Sequence, residues 1–154
     1  MQDPNLDSNE IDVVDLEICC PVQTRALSIL RSFSTCMASE VGFDEEATSQ
    51  IEMAVDEACA NVMRHAYKHL GVSSDLPPDQ VSSDENTRRS CILRLRAVLG
   101  PDFLTMSIID HGIGLSRMPG GVRDMQEYQD RGGSGGLGIY LIKNFMYEVE
   151  VHPP

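Results

Sequence analysis

The sequence predicts an α/β fold, an α+β two-layer sandwich whose mixed, mostly antiparallel sheet carries helices on one face. Three observations predict it. Two amphipathic helical patterns follow one another near the start, an apolar hairpin comes next, and a glycine-rich stretch separates that hairpin from a last helix. The resulting order is strand, helix, helix, strand, strand, long loop, helix, strand. With 154 residues the chain is one ordinary domain. A single core at this size buries roughly 70% of the unfolded surface.

Ile11 to Cys20 contains the alternation Val14, Leu16, Ile18 and ends at Pro21, the pattern of a strand. From Val22 to Val41, apolar residues recur at three- and four-residue steps (Val22, Ala26, Ile29, Leu30, Phe33, Met37, Val41), which predicts a helix stopped by Gly42. Asp44 reads as the cap of a second helix, with Glu45 and Glu46 at its positive end. Its stripe of Ile51, Ala54, Val55, Ala58 and Val62 carries it to about Tyr67. Residues 70–90 are polar and contain Pro and Ser, the composition of a mobile loop. Cys91–Val98 and Phe103–Ile109 form a hairpin across Gly100, Pro101 and Asp102, which delivers Asp110 to a strand end. Residues 111–138 hold nine of the 12 glycines, and a connection that long reads as a lid or binding loop. Ile139 to Met146 reads as a helix and Tyr147–Val151 as a short strand.

Twelve Lys and Arg against 24 Asp and Glu give a net charge of −12. That argues against a nucleic-acid backbone or an anionic membrane surface as direct partner. Asp3, Asp7, Glu10, Asp12, Asp15 and Glu17 concentrate the excess before the first base, Arg25. The 5 cysteines are irregularly spaced without a CxxC pair, and no apolar run follows a basic start. Reduced thiols and a cytoplasmic location are the expectation.

Three constellations carry chemistry. Glu57 and Asn61 stand four apart beside the second helix's apolar stripe, so both can point into a half-enclosed pocket. There a carboxylate can take a proton, and an amide oxygen can ligate a hard cation. On spacing alone, a solvated helix face is the favoured reading. Asp110-His-Gly112-Ile-Gly114 directly follows a strand. Its glycines permit close backbone approach and its carboxylate can accept from an exocyclic amine, although a plain strand-ending turn has the same look. Gly132-Gly133-Ser134-Gly135-Gly136-Leu137-Gly138 runs into a helix, where backbone N–H groups suit phosphate; a flexible linker is the competing reading. Gly133, Gly135 and Gly138 also spell the dinucleotide fingerprint, but polar residues 123–131 stand where that motif needs a strand. His65 and His69 lack the Glu of a zinc-protease helix, and a structural zinc is not expected.

In this order the three constellations resemble the N, G1 and G2 boxes of the GHKL (Bergerat-fold) ATPases, most closely the bacterial anti-sigma-factor serine kinases. The matching text is IEMAVDEACANVMRHAY (51–67), LTMSIIDHGIGL (104–115) and GGLGIYLIKNFMYEVEV (135–151). The resemblance implies a general base at Glu57 and a Mg²⁺ ligand at Asn61. It implies an adenine-reading carboxylate at Asp110, with Gly112 and Gly114 lining the base pocket. Gly133, Gly135, Gly136, Leu137 and Gly138 fall in the ATP-lid box around the phosphates, with a further contact from Arg131. His65 and Tyr67 match the H-A-Y string that supports the site. By the same resemblance 11–154 is a single histidine-kinase-like ATPase domain with its lid at 111–138, after a flexible acidic segment at 1–10.

The activity so implied is that of an ATP-dependent serine/threonine protein kinase using ATP and Mg²⁺. Its substrate is a small antagonist protein bearing a Ser or Thr, and its client a sigma factor or similar protein held in a partner-switching system. A homodimer is implied as well. Two other readings share the boxes: a nucleotide-gated binding switch without productive transfer, and the catalytic half of a histidine kinase.

Overall fold

The computed structural model describes residues 13–74, 76, 80–113, 124–130 and 136–152. Three strands, β1 (Val14–Pro21), β2 (Ile92–Leu99) and β3 (Leu104–Asp110), form one sheet in the order β1-β2-β3, every pairing antiparallel. The register sets Leu16 opposite Ala97, Ile18 opposite Leu95, and Leu95 in turn opposite Ile108. Directly opposed residues share a face, so these side chains all point the same way. Leu93, Leu95 and Ala97 on that face are wholly buried. The other face carries Asp15, Arg94 and Arg96, with Arg96 Nε donating to Asp15 Oδ1 at 2.8 Å.

Helices α1 (Leu27–Val41) and α2 (Glu45–Asn61) cover the apolar face. A 3₁₀ turn at Thr24–Ala26 leads into α1, so the regular helix begins later than the apolar periodicity suggested. It ends in a paired C-cap. Gly42 takes φ +95°, its N–H donates to Ser39 O at 3.1 Å, and Phe43 N–H donates to Ala38 O at 3.2 Å. Only a residue that tolerates positive φ closes a helix this way. Asp44 then caps α2 by accepting from Ala47 N–H at 2.8 Å. Leu30, Met63, Leu93, Leu95 and Cys59 are the largest of the fully buried side chains. Burial pushes the Cys59 thiol up to about 12.

Three expectations change. Helix α2 stops at Asn61, and a π-helical turn over Val62–Ala66 replaces its last stretch. The 70–90 excursion is not a plain loop: α3 (Glu85–Ser90) forms inside it, capped by Asp84, which accepts from Asn86 and Thr87 N–H at 3.1 and 3.2 Å. The expected strand at Tyr147–Val151 does not form. Its alternation has the period of a strand, but a strand needs a ladder partner, and Tyr147 stands fully exposed. Among the described residues of the glycine-rich stretch, α4 (Met125–Asp130) precedes α5 (Leu137–Phe145), which packs Ile139 and Ile142 against Ala54 of α2.

Candidate functional site

Helix α2 and its π turn touch both of the other sequence motifs. A π turn adds a residue to the helical circuit and swings the next residues out of α-helical register. Ala66 and Tyr67 leave that turn against the end of β3. Ile113 N–H donates to Ala66 O at 2.9 Å, and His111 N–H donates to the Tyr67 hydroxyl at 2.8 Å. The same hydroxyl donates to Ile92 O at 3.1 Å. Tyr67 thus bridges β2, the residue after β3 and the end of the helix from a buried position. Burial is the first cause that raises its phenol above the ordinary range, against the His111 N–H that lowers it.

Gly112 lies where the turn after β3 meets the helix. A Cβ there would fall on the Ala66 carbonyl oxygen and within 2.6 Å of its carbonyl carbon, so the close approach demands glycine. Asp110 Oδ1 accepts from Gly112 N–H at 2.8 Å, which fixes the carboxylate's plane. Its other oxygen has no hydrogen-bond partner among the described residues, which leaves an acceptor free at the strand end.

Glu57 marks the second meeting point. Arg64 Nη2 reaches Glu57 Oε2 at 3.5 Å, with side chains 35% and 32% exposed. Helix α5 comes against the same carboxylate, because a Cβ on Gly138 would land on Glu57 Oε2 and stand 3.0 Å from its Cδ. Gly136 caps α5 with φ +83°, and Leu137 opens the helix. Asn61, one turn beyond Glu57, is half-buried, and its amide has no hydrogen-bond partner among the described residues. Of the expected site residues, Glu57, Asn61, Asp110, Gly112, Gly136, Leu137 and Gly138 are described. Gly114, Arg131, Gly133 and Gly135 lie outside the described residues.

Known proteins share this arrangement of text. The sequence profile of the histidine kinase-like ATPase domain matches residues 20–154. The chain belongs to that family. Within it, serine-protein kinase RsbW of Bacillus pumilus is 28% identical over 146 residues, covering 92% of this chain and 78% of the relative. The Bacillus subtilis protein of the same name is 27% identical over 148 residues, covering 93% and 79%. That of Halalkalibacterium halodurans is 26% identical over 141 residues, covering 88% and 74%. The family likeness read from the three boxes therefore holds, and so does the α/β sandwich that it implied.

Arg64, which the structure sets against Glu57, is the residue that sequence reasoning passed over. Its signal was available: seven residues after Glu57 is two helical turns, which returns to the same face. His65 of the same turn is exposed. Among the described residues no three His, Cys, Asp or Glu side chains cluster as a metal cage. No described helix is long and apolar enough to cross a membrane.

Proposed function

We propose that this chain is an ATP-dependent serine/threonine protein kinase of the anti-sigma-factor type. The observation that carries the reading is the meeting of three distant motifs along one helix, at Ala66 and Tyr67 on one side and Glu57 on the other. In this reading, the free oxygen of Asp110 accepts the adenine amino group, and Gly112 lets the base lie close to the backbone. The α5 entrance at Gly136, Leu137 and Gly138 offers backbone donors to the phosphates.

Glu57 is the general base. The acceptor hydroxyl gives its proton to the carboxylate, its oxygen bonds to the γ-phosphorus, and the bond to the β,γ-bridging oxygen breaks to release ADP. Such a transfer needs positioned groups and compensated charge more than covalent chemistry from the protein. Asn61 would hold Mg²⁺, since a half-buried amide oxygen without a partner among the described residues is a hard ligand. Bound there, the cation would neutralise phosphate charge that an acidic protein would otherwise repel.

The substrate is a small antagonist protein presenting a Ser or Thr, and the client a sigma factor or similar protein. The RsbW relatives, named serine-protein kinases, support the substrate class. A cytoplasmic homodimer completes the proposal. Transfer of labelled phosphate from ATP to a Ser or Thr of a candidate antagonist protein tests it. Glu57→Ala should keep ATP binding and lose transfer. ATP binding by the wild type without any phosphoprotein would leave the nucleotide-gated switch instead.

A further inference from the structure

We propose that Arg64 and Gly138 are positioning residues for the Glu57 carboxylate, a proposal that rests on the reading of Glu57 as the base. Both address the same oxygen. Arg64 Nη2 stands 3.5 Å from Glu57 Oε2, while α5 leaves space for that oxygen only because position 138 has no side chain. Oε1 has no hydrogen-bond partner among the described residues, so it is the oxygen left to receive a proton. A carboxylate on a long side chain otherwise samples several rotamers, and misplacement by about 1 Å can cost about a hundredfold in rate. The guanidinium holds one oxygen without consuming the other.

Arg64 lies in the π turn, and its carbonyl accepts the Ser73 hydroxyl at 2.7 Å. The backbone under Arg64 is thereby anchored to the start of the 70–90 excursion. Gly138 acquires a second role, distinct from wrapping phosphate: it is the gap into which Oε2 fits. A methyl group there meets the tip of a flexible side chain rather than backbone, so the fold can absorb it by moving Glu57. Alanine is also the better helix former. The substitution therefore separates positioning from stability.

The test measures phosphotransfer at saturating ATP, the ATP dissociation constant and the melting temperature for the wild type, Glu57→Ala, Arg64→Ala, Arg64→Lys and Gly138→Ala. Expected are a fall in kcat of about tenfold or more for Arg64→Ala and Gly138→Ala, with ATP affinity and melting temperature near wild type. Arg64→Lys should recover part of the loss, because an ammonium restores the charge but on a shorter head that reaches Oε2 less well. Weakened ATP binding with unchanged kcat in Arg64→Ala would make Arg64 a phosphate contact and overturn the proposal. Unchanged kcat in Gly138→Ala would overturn the role of the gap. If Glu57→Ala transfers as fast as the wild type, the base assignment itself fails. If Glu57→Ala is dead while both other variants are fully active, only the positioning claim fails.

Discussion

Around Asp110 the site is fastened largely through backbone groups. Ile113 N–H bonds to the Ala66 carbonyl, His111 N–H bonds to the Tyr67 side-chain hydroxyl, and Gly112 sits against a peptide carbonyl with no room for a methyl group. Around Glu57 it is held by side chains, an ion pair at 3.5 Å and a carboxylate resting in the space that a glycine leaves. The strand-end half cannot yield without breaking main-chain bonds, whereas the helix half can be disturbed while the fold stays whole. If Asp110 reads an adenine ring, as proposed, it needs the first kind of support, since recognition depends on a fixed acceptor. Glu57 in the proposed role of base to a protein hydroxyl tolerates the second.

Gly112→Ala gives the largest expected effect and strikes the comparison at its root. The added methyl group meets the Ala66 carbonyl, and overpacking against backbone costs about 3 kcal/mol. For a domain of this size the melting temperature should drop by roughly 10 °C. A stable Gly112→Ala protein would show that the strand-end half is as yielding as the helix half.

Tyr67→Phe should cost less, about 1–2 kcal/mol, because it strips one hydroxyl from two backbone partners, His111 N–H and Ile92 O. Denaturant unfolding reads this directly. The effect sharpens the contrast if Glu57→Ala, measured alongside, leaves the unfolding midpoint unchanged.

Alkaline titration probes the core beneath both halves. Burial raises Cys59 from an ordinary 9.0 to about 12, so the folded state holds the thiol proton more tightly than the unfolded chain does. The stability contributed by the neutral thiol is therefore full below about 9 and is lost as pH climbs toward about 12. Cys59→Ala should flatten that limb of the stability curve, which thermal melts at stepped pH would reveal. The smallest effect belongs to Arg31→Ala. The Arg31–Asp56 pair joins α1 to α2 at 2.7 Å from exposed positions, and such pairs are worth about 0–1 kcal/mol.

The same division explains what the sequence disclosed. Caps and stripes are local, so Asp44, Gly42 and the buried face of α2 could be read residue by residue. The three boxes could be read as text because glycine spacing and the Glu57–Asn61 interval are also local. What escaped was set by neighbours distant in the chain. The end of α2 turned π where Ala66 meets the strand end, and propensity in that stretch says nothing of it. Arg64 is the exception, since its seven-residue interval from Glu57 is local and stands in the sequence. The E-V-E-V alternation promised a strand, yet pairing decides strands, and no described neighbour pairs with it. Within 70–90, the cap at Asp84 was a local signal that the surrounding Pro and Ser residues obscured.

Calorimetric titration of ATP, with and without Mg²⁺, on the wild type and on Asp110→Asn asks whether the strand-end carboxylate reads a bound nucleotide. Asp110 already spends one oxygen on Gly112 N–H, so an amide at this position would turn a donor toward the adenine amino group. Mg²⁺-dependent binding by the wild type is expected, with affinity weakened about tenfold or more in the variant. Equal affinity in the two proteins, or no binding by the wild type, would rule out nucleotide recognition at Asp110.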